Sequence, residues 1–346
     1  MSVLVTGGAG FIGTHTCAEL LAHHGDVVIV DDFSNSYPGA LDALARLAGR
    51  ASPIWRVDLR DASALDRVFA SHHIDAVIHF AAKKSVGESM TMPVDYFDVN
   101  VSGTISLVRA MRAHGIGKLV FSSSCSVYGD QYSRPISEED PPAPVNPYAR
   151  SKLMCEQMLA SACEADPDLS VISLRYFNPA GAHPSGLLGE CPRGVPSNVV
   201  PHMVGVAAGK LGKLSVFGGD YPTADGTAIR DYIHVMDVAE AHRLAVGHLD
   251  DGPGMRVLNL GTGSGASVLD LVATFEKTCG VRVPYVIAAR RPGDVTSLVA
   301  DASLVARLWG WRPRRDLASV FADSWRFQRE YPDGFAGETS AAGSGK

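Results

Sequence analysis

Residues 6–13 read TGGAGFIG and decide the fold of the first part of the chain. Apolar residues 3–5 precede this stretch, and apolar side chains recur after it at a helical spacing. A strand, a tight glycine turn and a helix N-terminus direct backbone N–H groups and the helix dipole at a phosphate. Gly7 and Gly10 allow the backbone to approach a pyrophosphate, and Gly13 allows the helix to pack closely against the strand. The stretch predicts a dinucleotide-binding loop rather than an ordinary turn.

An acidic residue at the end of the second strand, about 20 residues after the loop, is the companion feature of such a site. The apolar residues 27–30 are followed by Asp31 and Asp32. A carboxylate in this place hydrogen-bonds the ribose of the adenosine. No arginine follows Asp31 closely in the sequence, and the pattern therefore favours NAD over NADP as the cofactor.

Length and composition are those of a globular enzyme with a large core. The chain has 346 residues, of which 46% are hydrophobic and 20% charged. A formal net charge of −6, without a basic face interleaved with aromatic residues, argues against binding to nucleic acid. No apolar run reaches the ~18 residues of a membrane span, and no charged leader precedes the first strand. We expect a cytoplasmic protein with no membrane partner.

Cysteine and histidine spacing gives no sign of disulfides or of a metal. The six cysteines show no paired spacing, which favours free thiols in a reducing compartment. Paired histidines occur at 23–24 and 72–73, without an accompanying HExxH or CxxC pattern. We therefore predict no metal site.

The first half of the chain alternates short apolar strands with helical stretches. Strands are predicted at 54–57, 76–80, 118–121 and 171–174, and helices near 62–71, 93–114 and 147–164. This alternation predicts an α/β fold, a doubly wound parallel sheet of the Rossmann type. Ligands of such sheets lie at the carboxyl ends of the strands. The residues that follow four of these strands are therefore expected to face one crevice: Asp58, Ala81, Ser124 and Asn178.

A second motif, at residues 146–152, carries the predicted chemistry. Asn146 is a typical N-cap and Pro147 a typical first helical residue, so that Tyr148 and Lys152 lie on one helical face. A lysine and a nicotinamide cation beside a tyrosine favour the phenolate, lower the pKa of the phenol, and make it a base for a hydroxyl proton. Ser124 is expected to hydrogen-bond the same substrate oxygen. The alternative is a surface tyrosine beside a salt-bridging lysine.

These motifs resemble the extended short-chain dehydrogenase/reductases, and finer ones resemble the UDP-glucose 4-epimerase family within them. The finer motifs lie at 79–89, 128–130, 175–179, 181–186, 231–235 and 259–261. The resemblance extends to about Tyr331. It implies reversible 4-epimerisation of UDP-galactose and UDP-glucose through a 4-keto sugar on tightly bound NAD. It also implies a homodimer formed through helices near 93–114 and 148–165.

The resemblance further implies two domains. Residues 1–177 would form the NAD-binding domain, to which the chain returns at about 232–260. Residues 178–331 would mostly form a smaller α/β domain that binds the UDP-sugar, with loops rich in glycine and proline. A disordered tail is expected over 332–346, which is rich in Gly, Ala and Ser.

The site residues follow from the motifs and from the resemblance. The predicted catalytic residues are Ser124, Tyr148 and Lys152. The predicted cofactor-binding residues are Gly7, Gly10, Phe11, Ile12, Gly13, Asp31, Asp32, Ser34, Asn35, Ser36, Asp58, Leu59, Phe80, Ala81, Ala82, Lys84, Asn100, Ser122, Tyr148, Lys152 and Phe177. The predicted substrate-binding residues are Lys84, Ser124, Tyr148, Asn178, Asn198, Val216, Phe217, Arg230, Arg291, Asp294 and Leu298. Two of these, Arg230 and Arg291, suit a diphosphate because a guanidinium can bond two phosphate oxygens at once.

Three positions depart from the family pattern. Val99 replaces an asparagine and removes one side-chain contact to the cofactor, whereas Asn100 is retained. Cys125 replaces a residue that is more often alanine or threonine in the family. Separately, Cys125 and Ser126 follow Ser124 where nucleotide-sugar 4,6-dehydratases carry an Asp-Glu pair, which argues against that reaction. Leu298 replaces a tyrosine beside the sugar and bears on which sugar is accepted. An epimerase of another UDP-sugar (a uronic acid, a pentose or an N-acetylhexosamine) and an inactive NAD-sensing protein are the remaining alternatives.

Overall fold

The structure, a computed structural model, describes residues 1–130, 134–291 and 293–337. Its strands are β1 Ser2–Thr6, β2 Asp26–Asp31, β3 Ile54–Arg56, β4 Ala76–His79, β5 Lys118–Ser124, β6 Ser170–Tyr176, β7 Asn178–Ala180, β8 Leu214–Phe217, β9 Ile229–His234, β10 Gly254–Leu260, β11 Gly265–Ser267, β12 Tyr285–Ala288 and β13 Ser297–Leu298. Its α-helices are α1 Phe11–Ala22, α2 Gly39–Ala48, α3 Ala62–Ser71, α4 Val86–Thr91, α5 Pro93–Phe97, α6 Gly103–Ala113, α7 Pro147–Ala165, α8 Val199–Ala207, α9 Val235–His248, α10 Val268–Cys279, α11 Ser303–Trp309 and α12 Leu317–Glu330.

Seven of the described strands form one parallel sheet in the order β10-β6-β5-β4-β1-β2-β3. Successive residues of the interior strand β1 point to opposite faces, so that Val3 and Val5 enter one apolar cluster and Leu4 the other. Helices α1, α2 and α9 cover the first face, and α3, α6 and α7 cover the second. Burial on both faces explains why the interiors of β1, β2 and β4 are apolar. The predicted doubly wound α/β fold is confirmed.

The second half of the chain builds two smaller sheets. Strands β7, β9, β11 and β13 form one of them, and β8 pairs with β12 to form the other. A separate apolar cluster, which includes Phe275 of α10 and Phe321 of α12, lies beneath them. The chain then rejoins the large sheet, because α9 packs on α1 and β10 pairs with β6. Strand β9, which precedes this return, belongs to the smaller sheet.

The helix predicted over 93–114 is divided. A turn of π-helix, Asp98–Ser102, separates α5 from α6. Asn100 lies in this turn, where its side chain accepts a hydrogen bond from Lys83 N at 2.8 Å and donates to Lys83 O at 3.1 Å and to Ser151 Oγ at 2.9 Å. One extra residue in the turn lets the buried amide meet these partners, and such π-turns are frequent at functional sites.

Part of the segment that was predicted to be disordered is folded: residues 332–337. A 3₁₀ turn spans Gly334–Gly337, and Phe335 is buried against Phe327 and Tyr331. The backbone N–H of Phe335 also donates to the Cys191 Sγ at 3.4 Å. The buried ring of Phe335 therefore packs this part of the glycine- and alanine-rich segment against the rest of the fold. Residues 338–346 lie outside the described part of the chain.

Across residues 1–130, 134–291 and 293–337, no helix is long and apolar enough to cross a membrane. Over the same ranges, no cluster of three histidine, cysteine or acidic side chains is placed to hold a metal ion.

Candidate active site

A cavity of about 1100 Å³ opens at the carboxyl edge of the large sheet. One wall comes from the glycine loop and from the ends of β2, β4, β5 and β6, and the opposite wall comes from the smaller sheets and their loops. The four strand-end residues expected to share a crevice, Asp58, Ala81, Ser124 and Asn178, all line this cavity. This volume lies above the range of about 300–1,000 Å³ that is typical of small-molecule sites, which indicates a large ligand or more than one ligand.

The glycine loop is shaped for a close ligand. Gly7 has a φ of +69°, and a Cβ added there would lie 2.7 Å from the backbone N of Ala81. A Cβ on Gly13 would lie 2.2 Å from the carbonyl oxygen of Gly7. Helix α1 begins after Gly10 without a side-chain cap, so the N–H groups of its first turn face the cavity end of the loop. Backbone donors at a helix N-terminus are suited to a pyrophosphate.

Asp31 lies beside this loop and is almost fully buried. Its carboxylate accepts hydrogen bonds from Ala9 N at 3.0 Å, Phe33 N at 2.9 Å and Ser36 Oγ at 2.7 Å. Burial raises the pKa of the Asp31 carboxyl, and these three hydrogen bonds act in the opposite direction. A carboxylate held in this way at the cavity wall fits a ribose diol, which donates two O–H groups. The loop and Asp31 together fit the adenosine half of NAD.

The residues of the predicted catalytic group belong to the wall of the cavity that the large sheet and α7 provide. Ser124 is the last residue of β5, and Tyr148 lies in the first turn of α7. Helix α7 begins as predicted, because Asn146 Oδ1 accepts a hydrogen bond from Ala149 N at 2.9 Å and Pro147 is the first helical residue. Ser124, Tyr148 and Lys152 all line the cavity.

The electrostatics of this group differ from the expectation. Burial raises the pKa of Tyr148 to about 12, a hydrogen bond with Ser124 lowers it, and the neighbouring Cys125 raises it. Lys152 directs its Nζ at the carbonyl oxygen of Ser122, at 2.7 Å, and burial lowers the pKa of its ammonium to about 8. The net effect of the protein's own groups is therefore to raise the pKa of Tyr148: the Ser124 hydrogen bond offsets only part of the effect of burial, and the Lys152 ammonium donates to a backbone carbonyl.

The opposite wall offers polar and cationic groups. The Oδ1 of Asn178 is buried with no partner among the described residues, and its side chain lines the cavity. The Arg291 guanidinium carbon lies 3.7 Å from the centre of the Phe217 ring. Arg230 also lines the cavity and donates through Nη1 to the carbonyl of Ile229 at 2.8 Å, and its guanidinium has further N–H donors besides this one. This wall suits an anionic ligand with planar parts.

Among the described residues, two predicted site residues do not line the cavity: Asn100 and Val216. Asn100 acts on the backbone of Lys83, as described above, and Val216 is fully buried in the cluster beneath the smaller sheets. Val216 alternates on β8 with Ser215 and Phe217, which do line the cavity. All the other predicted residues line it, Leu298 included. Leu298 also packs with Cys125, Phe177 and their neighbours.

The cavity residues that were not predicted include Tyr176, Glu190 and Arg193, each of which is hydrogen-bonded to another residue of the lining. The hydroxyl of Tyr176 shares a hydrogen bond with Ser122 Oγ. The Glu190 carboxylate bonds both Lys84 Nζ, at 3.1 Å, and Asn198 Nδ2, at 2.9 Å. Arg193 reaches across to the loop after β2. Tyr176 follows a predicted strand, so the rule that ligands lie at strand ends could have identified it. Glu190 and Arg193 lie in an irregular loop without sequence periodicity.

A phosphate-binding loop and a Ser-Tyr-Lys group in one cavity of a doubly wound sheet define the class: a dinucleotide-dependent enzyme that acts on a hydroxyl or carbonyl group. The sequence model of the NAD dependent epimerase/dehydratase family matches residues 3–261. The chain belongs to this family, and the predicted cofactor, NAD, is confirmed by that membership.

Relatives match over nearly the whole length. The UDP-glucose 4-epimerase of Bacillus subtilis is 49% identical over 335 residues, which are 97% of this chain and 99% of the relative. The crystal structure of the Bifidobacterium longum UDP-glucose 4-epimerase with NAD+ and UDP has a TM-score of 0.94 at 46% identity and covers 96% of this chain and 100% of its own. The Stenotrophomonas maltophila enzyme with NAD and formylated UDP-arabinopyranose has a TM-score of 0.93 at 50% identity and covers 96% and 99%. The resemblance seen in the motifs is confirmed.

Proposed function

We propose that this protein interconverts UDP-galactose and UDP-glucose by reversible 4-epimerisation on NAD bound in the cavity. One observation carries the proposal: the fitted dinucleotide loop, the buried Ser-Tyr-Lys group and a wall with two arginines enclose a single cavity. Relatives at 45–49% identity over 96–97% of this chain are UDP-glucose 4-epimerases, which supports the same activity here.

The protein's own groups divide the reaction between them. When bound, NAD supplies a hydride acceptor for sugar C4 and a positive charge beside the Tyr148 phenol. Tyr148 takes the proton of the 4-hydroxyl as a phenolate and returns it when the hydroxyl is restored. Ser124 is hydrogen-bonded to Tyr148 in this structure, and we assign its single O–H donor to the sugar oxygen when the substrate is bound. Below about pH 8 the amino group of Lys152 is protonated, and it places a positive charge within the same buried region.

Epimerisation also requires that the 4-keto sugar turn over while the nucleotide stays bound. We assign tight binding of the diphosphate to Arg230 and Arg291, because a guanidinium group can form two hydrogen bonds to a phosphate at once. The cavity lining includes the apolar side chains of Phe177 and Leu298, which pack in one cluster with Cys125. Apolar walls form few directional bonds with a hexose, which leaves it free to rotate. The smaller sheets, and residues 178–331 for the most part, would form the domain that holds the UDP-sugar.

A homodimer belongs to the same proposal. Four large apolar side chains are exposed on the helices that the resemblance assigns to the dimer interface or next to them: Met90, Met92, Val94 and Met154. Val94 of α5 is 76% exposed and Met154 of α7 is 46% exposed. A second copy of the chain would remove this surface from water. Sedimentation of the purified protein distinguishes one chain from two.

Purified protein is expected to convert UDP-galactose into UDP-glucose without added cofactor, because the hydride leaves the sugar and returns to it within one cycle. The products are identified by NMR, and bound NAD is verified spectroscopically in the same sample. An equilibrium mixture of the two sugars is the expected result. Protein that contains NAD and leaves UDP-galactose unchanged contradicts the assignment.

The sugar accepted at the cavity is expected to depend on Leu298. Leucine is shorter than the tyrosine found at this place in many relatives and bulkier than cysteine, so it leaves limited space for a 2-N-acetyl group. Steric differences of about one methylene change discrimination by roughly 10–200-fold. We expect weak turnover of UDP-N-acetylgalactosamine, which Leu298→Cys increases and Leu298→Tyr suppresses relative to UDP-galactose.

The measurement is the ratio of the two activities in the wild type and both variants. An unchanged ratio across the three proteins assigns Leu298 to packing with Cys125 and Phe177 instead. UDP-arabinopyranose is included in the assay, because the Stenotrophomonas maltophila relative holds a formylated derivative of this pentose.

A further inference from the structure

Arg193 joins two loops that lie on different sides of the cavity. It belongs to the loop before α8, and it contacts the loop that follows β2. Its Nε and Nη2 both donate to the carbonyl oxygen of Ser36, at 3.2 and 2.9 Å. Its guanidinium carbon lies 4.4 Å from the centre of the Tyr37 ring. Arg193, Ser36 and Tyr37 all line the cavity, so this contact bridges its rim.

The far end of the bridge is anchored to the cofactor loop. Ser36 is 6% exposed, and its Oγ donates to Asp31 Oδ1 at 2.7 Å. The other carboxylate oxygen of Asp31 accepts from Ala9 N, within the glycine loop, at 3.0 Å. A continuous set of hydrogen bonds thus runs from Arg193 through Ser36 and Asp31 to the glycine loop. Because Asp31 fits the adenosine ribose, the bridge lies over the adenosine end of the cavity.

We propose that Arg193 and Tyr37 form a clasp that closes the cavity over the adenosine end of NAD and sets the rate of NAD release. The inference rests on the NAD binding of the proposed function and is independent of the sugar. A dinucleotide enclosed between the two loops leaves only after one loop moves away. That movement breaks two hydrogen bonds from a charged donor and one stacked cation–π contact. The clasp therefore acts on the barrier to dissociation, and Arg193 has no part in the proton transfer.

The test is the rate at which bound NAD exchanges. Holoenzyme is loaded with isotope-labelled NAD, mixed with excess unlabelled NAD, desalted at intervals, and analysed for the remaining label by mass spectrometry. Arg193→Gln keeps a polar side chain but removes the charge and the planar fork. We expect it to release NAD about 10- to 100-fold faster than the wild type, from the loss of the charged hydrogen bonds and the stacking. Tyr37→Leu, which removes the stacked ring from the other loop, gives an independent measurement.

Arg290→Gln is the matched control. Arg290 also stacks on a tyrosine, with its guanidinium carbon 4.0 Å from the centre of the Tyr221 ring, and donates to Asp220 at 2.8 Å. This variant should release NAD at the wild-type rate. If Arg193 and Tyr37 act together, the double variant is faster than the wild type by less than the product of the two single effects. Equal release rates for Arg193→Gln and Arg290→Gln overturn the clasp, as does wild-type protein that loses its label during mixing.

The readout separates this proposal from the proposed function. A protein that retains NAD but does not convert UDP-galactose still reports the effect of Arg193→Gln on release. Conversely, if the protein is an active epimerase but releases NAD at the same rate after substitution of Arg193 and Tyr37, the proposed function stands and the clasp is refuted.

Discussion

Replacing Tyr148 by Phe is expected to reduce turnover of UDP-galactose by at least the ~10²–10⁴-fold typical of a positioned acid–base group. The substitution keeps the ring, which packs edge-on against Tyr96 at a centroid distance of 6.5 Å, and removes only the hydroxyl. Ser124 loses its hydrogen bond with Tyr148 but keeps those with Ser126, and the cavity walls and the arginines on the opposite wall are unchanged. NAD content and UDP binding should therefore remain close to the wild type while kcat falls.

Tyr285→Phe provides the control for this experiment. Tyr285 lies on β12 and is 44% exposed, and loss of its hydroxyl should leave kcat unchanged. Steady-state kinetics of both variants, with NAD quantified in each preparation, separate a chemical effect from loss of cofactor. A Tyr148→Phe enzyme that turns over at nearly the wild-type rate would show that the proton of the 4-hydroxyl is taken by another group.

The largest expected loss of stability follows the substitution of Arg175 by Met. Arg175 on β6 donates to Glu156 on α7 through Nε at 2.9 Å and Nη2 at 2.6 Å, and the two side chains are 7% and 4% exposed. Nη1 donates to the hydroxyl of Tyr128 at 3.0 Å. Removal of the arginine leaves the Glu156 carboxylate buried without its counter-charge, which costs about 3–5 kcal/mol of unfolding free energy.

The free energy of unfolding is measured by urea titration at one fixed NAD concentration, since bound cofactor itself adds stability. Arg50→Met is the matched control, because Arg50 pairs with Asp26 at 2.9 Å while the two side chains are 46% and 70% exposed. Exposed pairs contribute about 0–1 kcal/mol. Arg175→Met together with Glu156→Leu should recover much of the loss, because no unpaired charge remains. A loss in Arg175→Met no larger than in Arg50→Met refutes the prediction.

Local sequence patterns were sufficient for the scaffold and for the first members of the site. The apolar strands, the glycine turn and the cap at Asn146 each depend on a few adjacent residues, and the structure reproduces them. The strand-end rule placed Asp58, Ala81 and Ser124 at one edge because parallel strands present their carboxyl ends together. Family membership then supplied the chemistry that such a scaffold alone leaves open.

The tertiary structure decided whatever depends on partners that are distant in the chain. Asn100 lies in a π-turn because Lys83 and Ser151, 17 and 51 residues away, offer hydrogen bonds to its buried amide. Lys152 was expected beside the phenol of Tyr148, yet it binds the Ser122 carbonyl, 30 residues earlier. Tyr148 is consequently left with a raised pKa that its protein neighbours do not reverse.

By itself the sequence therefore determined the doubly wound sheet, the dinucleotide loop and the helical spacing of Tyr148 and Lys152. These features need only strand and helix periodicity and the backbone freedom of glycine, which act over a few residues. The contact of Arg193 with Ser36 spans 157 residues and comes from a loop without any period. Its existence depends on how the second half of the chain packs against the first, and only the folded structure decides that.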